Sequence, residues 1–305
     1  MPQSGISGSL NRTARQVDAL ARVWSSIRER RCALDRELKL KLRPIVTAWV
    51  QERHDDAEEI APQSGQRFVF RTEDRAVKLF PPLNEDERER CRREVSFLSE
   101  EPIEGLPTVL TELQDIEIDG YTFSVYEEAW IDADSIKETV ENGSYGLDQA
   151  MAVLQQGSRI LRDLHSRNVV HRDVSHGNVL IGEGQVSIVD LGLAKYLDLD
   201  PLTRTSEHLK MTLAFASPEQ ITGGSSVLGP ATDVYSLALV AVFASTGQYA
   251  YQPQGEAFVL DDYLARMAHR DLIVDVSDLP AIVHSMVDPI ASFRPKAADV
   301  YRELQ

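Results

Sequence analysis

Two carboxylates and a carboxamide stand in this chain at spacings that suit chemistry on a phosphate. Asp173 and Asn178 lie five residues apart in His171-Arg172-Asp173-Val174-Ser175-His176-Gly177-Asn178, and Asp190-Leu191-Gly192 begins twelve residues after the amide. One carboxylate can take the proton of an attacking hydroxyl. The amide and the second carboxylate can hold the Mg²⁺ ions that neutralise a phosphate chain. The set points to phosphoryl transfer, provided that the flanking elements bring its members together.

The flanking residues predict such elements. Leu147 to Arg167 carries Ala150, Val153, Leu154, Ile160, Leu161 and Leu164 at helical spacing. Val169-Val170 reads as a short strand entering the loop. Val179-Leu180-Ile181 and Val186-Ser187-Ile188-Val189 read as two strands joined by Gly182-Glu183-Gly184-Gln185, a hairpin signal. Asp190 then falls at a strand end, where a metal ligand can be aimed into a cleft.

Further upstream, residues 1–10 are rich in Gly and Ser, and a helical pattern begins at Asn11. Val17, Leu20, Trp24, Ile27, Leu34 and Leu38 form one apolar seam, interrupted by Arg31. Pro44 is expected to end or kink that helix, with a second helix carrying Ile45, Val46, Trp49 and Val50. His54 to Gly65 reads as a boundary. Strands are predicted over Arg67–Arg71 and Ala76–Phe80, a helix over Glu85–Leu98, and β-rich runs over Pro107–Leu113 and Tyr121–Tyr126. From Leu147 onward the chain is mainly helical. Strands first and helices later imply an α+β protein with a small β-rich lobe and a larger helical lobe, and a cleft between them is a natural ligand site.

The 305 residues are enough for two lobes, and 43% hydrophobic and 26% charged residues describe an ordinary folded chain. Charge is uneven. Residues 1–54 hold 11 Lys and Arg against 5 Asp and Glu, whereas residues 55–305 hold 21 against 43, so a basic arm precedes an acidic body. The acidic body argues against nucleic-acid binding and favours basic partners. No apolar run has the length of a membrane span. Two cysteines, Cys32 and Cys91, stand far apart with no metal spacing, which suggests a reducing cytoplasm.

Other short segments extend the pattern. Ala76-Val77-Lys78 is followed sixteen residues later by Glu94. Downstream come Thr212 to Ser217-Pro218-Glu219, then Asp233-Val234-Tyr235-Ser236-Leu237, and finally Arg294-Pro295. Together with the loop described above, these resemble eukaryotic-like serine/threonine protein kinases. His171-Arg172-Asp173 with Asn178 resembles their catalytic loop, and Asp190-Leu191-Gly192 resembles D-F-G with Leu in place of Phe. Ala76-Val77-Lys78 resembles the V-A-I-K strand, and Ser217-Pro218-Glu219 resembles A-P-E.

The resemblance implies a two-lobed kinase fold, with residues 1–56 as a helical extension, 57–130 as the small lobe and 131–305 as the large lobe. It implies ATP and Mg²⁺ as cofactors. Lys78, paired with Glu94, would position the α/β-phosphates. Asp173 would be the catalytic base, and Asn178 and Asp190 would ligate the metal. Ala76 and Leu180 would line the nucleotide, with hinge contacts from Glu127 to Ala129. His171 would pack under the loop, Asp233 would hold the loop backbone, Arg294 would pair with Glu219, and Thr212 would face Asp173. Arg172 would await a phosphate on Thr203, Thr205 or Ser206. His176 has no such role and reads as a solvated or locally hydrogen-bonded histidine. The extension is expected to dock on the kinase body or on a second protein.

Three departures bear on function. Only Gly65 precedes Lys78 where a G-x-G-x-x-G loop is usual, so weaker ATP binding is expected. Ser175 stands where these kinases carry a Lys, which removes a cation from the transition state. Val174-Ser175-His176-Gly177-Asn178 also resembles small-molecule kinases of the aminoglycoside and choline type. That activity is the first alternative, and a pseudokinase that binds partners without turnover is the second.

Overall fold

The structure, a computed structural model, describes residues 38–60, 67–81, 85–100, 102–196, 213–222, 228–252 and 260–305. The predicted seam over Val17–Leu34, the segment Pro62–Gln66, and Thr203, Thr205, Ser206 and Thr212 lie outside these residues.

A helix, α1 (38–51), opens the described chain. The antiparallel sheet that follows consists of β1 (Glu58–Ile60), β2 (Phe68–Arg71), β3 (Arg75–Phe80), β4 (Gln114–Ile118) and β5 (Tyr121–Ala129), in the order β1-β2-β3-β5-β4. Helix α2 (Glu85–Glu100) joins β3 to β4. The large lobe starts with β6 (Asp134–Ser135), α3 (Ile136–Glu141) and α4 (Leu147–Ser166). The strands β7 (Val169–Val170), β8 (Val179–Gly182), β9 (Gln185–Ile188) and β10 (Lys195–Tyr196) surround the loop of interest. Helices α5 (Pro218–Thr222), α6 (Pro230–Thr246), α7 (Leu260–His269), α8 (Ile282–Met286) and α9 (Ala297–Glu303) complete it. The two-lobed α+β fold read from the sequence is the one observed. Among the described residues no helix is long and apolar enough to cross a membrane.

Strand alternation gives the small sheet two different faces. Phe68, Phe70, Val77, Leu79, Phe123 and Val125 point to one side, where Leu42, Val46 and Val50 of α1 cover them. Arg67, Lys78, Tyr126 and Glu128 take the opposite parity and face the cleft. The buried positions of α1 recur every four residues, so a single stripe seals the sheet. Leu42→Ala is therefore expected to cost about 2–5 kcal/mol in urea unfolding. Leu40→Ala, at a side chain 63% exposed, should change stability by less than about 0.5 kcal/mol. Equal effects would show that α1 does not pack as described.

Three sequence expectations need correction. The helix continues through Pro44. Pro44 is exposed, so the residue-40 carbonyl that loses its N–H partner stays on the solvent side, while the buried stripe holds the helix to the sheet. The supposed boundary contains β1, which pairs with β2 over Glu58↔Arg71 to Ile60↔Val69. The run Pro107–Leu113 contributes an isolated bridge, Val109↔Glu128, and the strand lies later, at Gln114–Ile118, where it pairs with β5.

In the large lobe, α4 packs its apolar face on α6, which is buried on every side from Thr232 to Ala244. Gly157 permits that approach, since a Cβ there would lie 2.6 Å from Leu237 Cδ1. The contact sets Asp233, near the start of α6, beneath the loop that leaves β7.

Candidate active site

The loop after β7 is built on Asp233, which is fully buried. The backbone N–H of His171 donates to Asp233 Oδ2 at 2.8 Å, and that of Arg172 donates to Oδ1 at 2.8 Å. His165 Nε2 lies 2.9 Å from Oδ2. Arg172 adopts φ 70°, a left-handed conformation that costs energy outside glycine. The paired hydrogen bonds to Asp233 hold it there. Gln220 adds a tie that the sequence did not reveal: its Nε2 donates to the Arg172 carbonyl at 2.7 Å, and its Oε1 accepts from the Ser217 N–H at 3.0 Å.

His171 is buried beneath the loop, and burial lowers its pKa and keeps it neutral. Its Nδ1 accepts from the Asp173 N–H at 3.3 Å, and its Nε2 lies 3.2 Å from the Val189 carbonyl. One ring thus spans from the backbone of Asp173 to the residue before Asp190. Asn178 Nδ2 donates to both the carbonyl (2.9 Å) and Oδ2 (3.0 Å) of Asp173, which orients that carboxylate. His176 is half-buried. It packs against Phe215 and Phe243, with ring centroids 4.6 and 5.1 Å away, and burial lowers its pKa to about 4. Tyr249 Oη, remote in sequence, lies 3.4 Å from its Nε2.

Asp190 follows β9 with φ 72° and accepts from the Gly192 N–H at 3.2 Å. Burial alone would raise its pKa, but Arg67 and Lys78 outweigh burial and lower it. Arg67 Nη2 stands 2.5 Å from Asp190 Oδ2. Glu94 is buried on α2, accepts from Tyr126 Oη at 3.2 Å, and has its pKa pushed up by burial to about 7, against the pull of Arg67 and Lys78.

The Lys78 partner differs from expectation. Its ammonium pairs with Glu128, not Glu94. Register explains this. Lys78 is opposite Tyr126 and Ala76 is opposite Glu128, so Glu128 is the diagonal cross-strand neighbour of Lys78 on the cleft face. Both side chains are buried, and buried charges persist where they are paired. Alternation carries a signal for Arg67 as well: it lies two residues before Val69, whose cross-strand partner is Lys78.

The expected hinge contacts of Glu127 and Ala129 also need correction. The Glu127 N–H donates to Thr111 Oγ1 at 2.9 Å, its carbonyl accepts from Leu110, and the Ala129 N–H donates to the Thr108 carbonyl at 2.8 Å. The Glu127 side chain pairs with Arg75 at 2.7 Å. The 108–111 segment thus takes the donors that a nucleotide was expected to use. Ala76 shares the cleft-face parity of Lys78, and Leu180 sits half-buried on β8.

Below the loop, Arg294 grips Glu219 with both ends of its guanidinium, at 2.7 and 2.9 Å. It also donates to the carbonyls of Ala231 and Asp288 and lies 4.7 Å from the Tyr235 ring centroid. Burial alone would raise the Glu219 pKa, but Arg294 overcomes it and holds the carboxyl below its usual value of 4.5. A depressed folded-state pKa contributes stability that is present above about 4.5 and is lost as pH falls through the folded value. Urea unfolding from pH 7 to pH 3 should therefore show wild type losing more stability than Glu219→Gln. Parallel pH curves would contradict the pairing.

The protein kinase domain family matches residues 71–296. Serine/threonine-protein kinase PknA of Mycobacterium tuberculosis is 40% identical over 114 residues, covering 37% of this chain and 26% of that protein. Serine/threonine-protein kinase AfsK of Streptomyces coelicolor is 32% identical over 177 residues, covering 58% of this chain and 22% of that protein. Serine/threonine-protein kinases drp72 of Corynebacterium efficiens is 32% identical over 178 residues, covering 57% and 34% respectively. The chain thus spans between about a fifth and a third of the length of these relatives.

Proposed function

The chain belongs to the protein kinase domain family, and from that premise we propose that it transfers the γ-phosphoryl group of ATP to serine and threonine hydroxyls of proteins. The observation that carries the reading is the Asp173 carboxylate, oriented by Asn178 in a loop that Asp233 holds from below. Asp173 orients the acceptor hydroxyl and takes its proton. Lys78, steadied by Glu128, presents its ammonium to the α/β-phosphates. Ala76 and Leu180 line the nucleotide.

The residues also suit Mg²⁺. Asp190 is ionised and already faces a cation, Arg67. Asn178 turns its amide nitrogen to Asp173, which leaves its oxygen for a hard cation. When bound there, Mg²⁺ neutralises phosphate charge. The chain's own residues position the reactants and exclude water, which is most of what phosphoryl transfer asks of a protein.

In this reading residues 57–130 form the small lobe and 131–305 the large lobe. Within the proposed extension over 1–56, the described part docks in cis through α1, as its contacts with the sheet support. The acidic body suits substrates with basic residues beside the acceptor. Incubation with ATP labelled at the γ-position, Mg²⁺ and a generic basic protein should label phosphoserine or phosphothreonine. Label appearing on sugars or amino alcohols, with none on protein, would favour the small-molecule alternative.

A further inference from the structure

The chain lacks the glycines whose backbone amides commonly cover a bound triphosphate, yet an arginine stands just where that cover ends. Arg67 immediately precedes β2 and is 8% exposed. It shares the cleft face with Lys78 and reaches Asp190 at 2.5 Å. Its carbonyl accepts from Lys39 Nζ of α1 at 2.8 Å, and its guanidinium lies 5.9 Å from the Phe80 ring centroid. Helix α1 thus ties down the Arg67 backbone, while its guanidinium lies on the cleft face.

We propose that Arg67 is a ligand for the nucleotide's phosphate chain, supplying with a forked side chain the donors that a glycine-rich loop supplies with amides. Lys78, Glu128, Glu94 and Arg67, all buried, cluster in the cleft with the partly buried Asp190. A triphosphate gripped by Lys78 at one end and held near Asp190 at the other passes within reach of the guanidinium. A cation held at Asp190 would repel Arg67, whose guanidinium would then be shared between the Glu94 carboxylate beside it and the phosphate oxygens. Arg presents planar, bidentate donors to phosphate, a geometry that Lys lacks. In the absence of nucleotide the Asp190 carboxylate keeps this desolvated cation paired.

The inference rests on the reading of the cleft as a nucleotide site, and the test separates the two. Full-length wild type, Arg67→Ala and Arg67→Lys are titrated calorimetrically with adenosine and with a non-hydrolysable ATP analogue, each with Mg²⁺. Arg67→Ala should bind the analogue about 10- to 100-fold more weakly, the loss of one or two charge-assisted bonds. Its adenosine affinity should stay unchanged, and that retained affinity also shows that the cleft has folded. Arg67→Lys, which keeps a cation for Asp190, should recover only part of the loss. Analogue binding that is unchanged or tighter in Arg67→Ala would overturn the proposal and make Arg67 a plug. Wild type that binds neither probe would overturn the nucleotide reading itself.

Discussion

Asp173→Ala should slow phosphoryl transfer about 10²–10⁴-fold, the range for loss of a positioned general base, while the affinity for ATP stays near that of wild type. The split follows from the geometry. Asp173 touches Asn178 and the His171 ring, whereas Lys78 pairs with Glu128 on the strands of the other lobe. Removing the carboxylate leaves the phosphate grip in place and takes away the acceptor for the hydroxyl proton. Asp173→Asn, which keeps shape and hydrogen-bonding size, should lose nearly as much. Steady-state kinetics with varied ATP reads both quantities. Transfer by Asp173→Ala at the wild-type rate would show that the loop is not catalytic. A rise in the KM for ATP with kcat unchanged would assign Asp173 to nucleotide binding instead.

Arg294→Ala should destabilise the protein by about 3–5 kcal/mol, because it strands the Glu219 carboxylate in a site built around its partner. Arg294 is buried and satisfies Glu219 and the carbonyls of Ala231, Asp288 and Pro289 at once. Glu219→Ala should cost less, since the guanidinium keeps its carbonyl acceptors. A double-mutant cycle in urea isolates the pair, and an interaction energy near zero would contradict the account. The loss should also reach the loop after β7. Gln220 adjoins Glu219 and binds the Arg172 carbonyl, so loosening α5 frees the backbone just before Asp173.

Much of the large lobe was legible because its chemistry is local. Asp173 and Asn178 share one loop, Asp190 ends the next hairpin, and helical spacing announced α4. Asp233, Glu219 and Arg294 came from resemblance, and the structure brings each to the partner expected of it. The small lobe was harder to read. Whether Lys78 meets Glu94 or Glu128 depends on cross-strand register, which a single sequence does not state. Arg67 was hidden for the same reason, although the alternation from Val69 pointed at it. β1 has three residues, two of them acidic, and so resembles a linker until it is paired with β2. The Glu127 and Ala129 donors were misjudged because Thr108–Thr111 returns from afar to take them.

The most direct test is a stoichiometric one. Full-length protein and a basic protein substrate are incubated with ATP and Mg²⁺, and ADP and protein-bound phosphoserine plus phosphothreonine are counted over time. The account predicts that the two appear together in equal amounts, and that both stop on chelation of Mg²⁺ or in Asp190→Ala. ATP that binds yet yields neither product, or ADP released with no phosphoprotein, would contradict it.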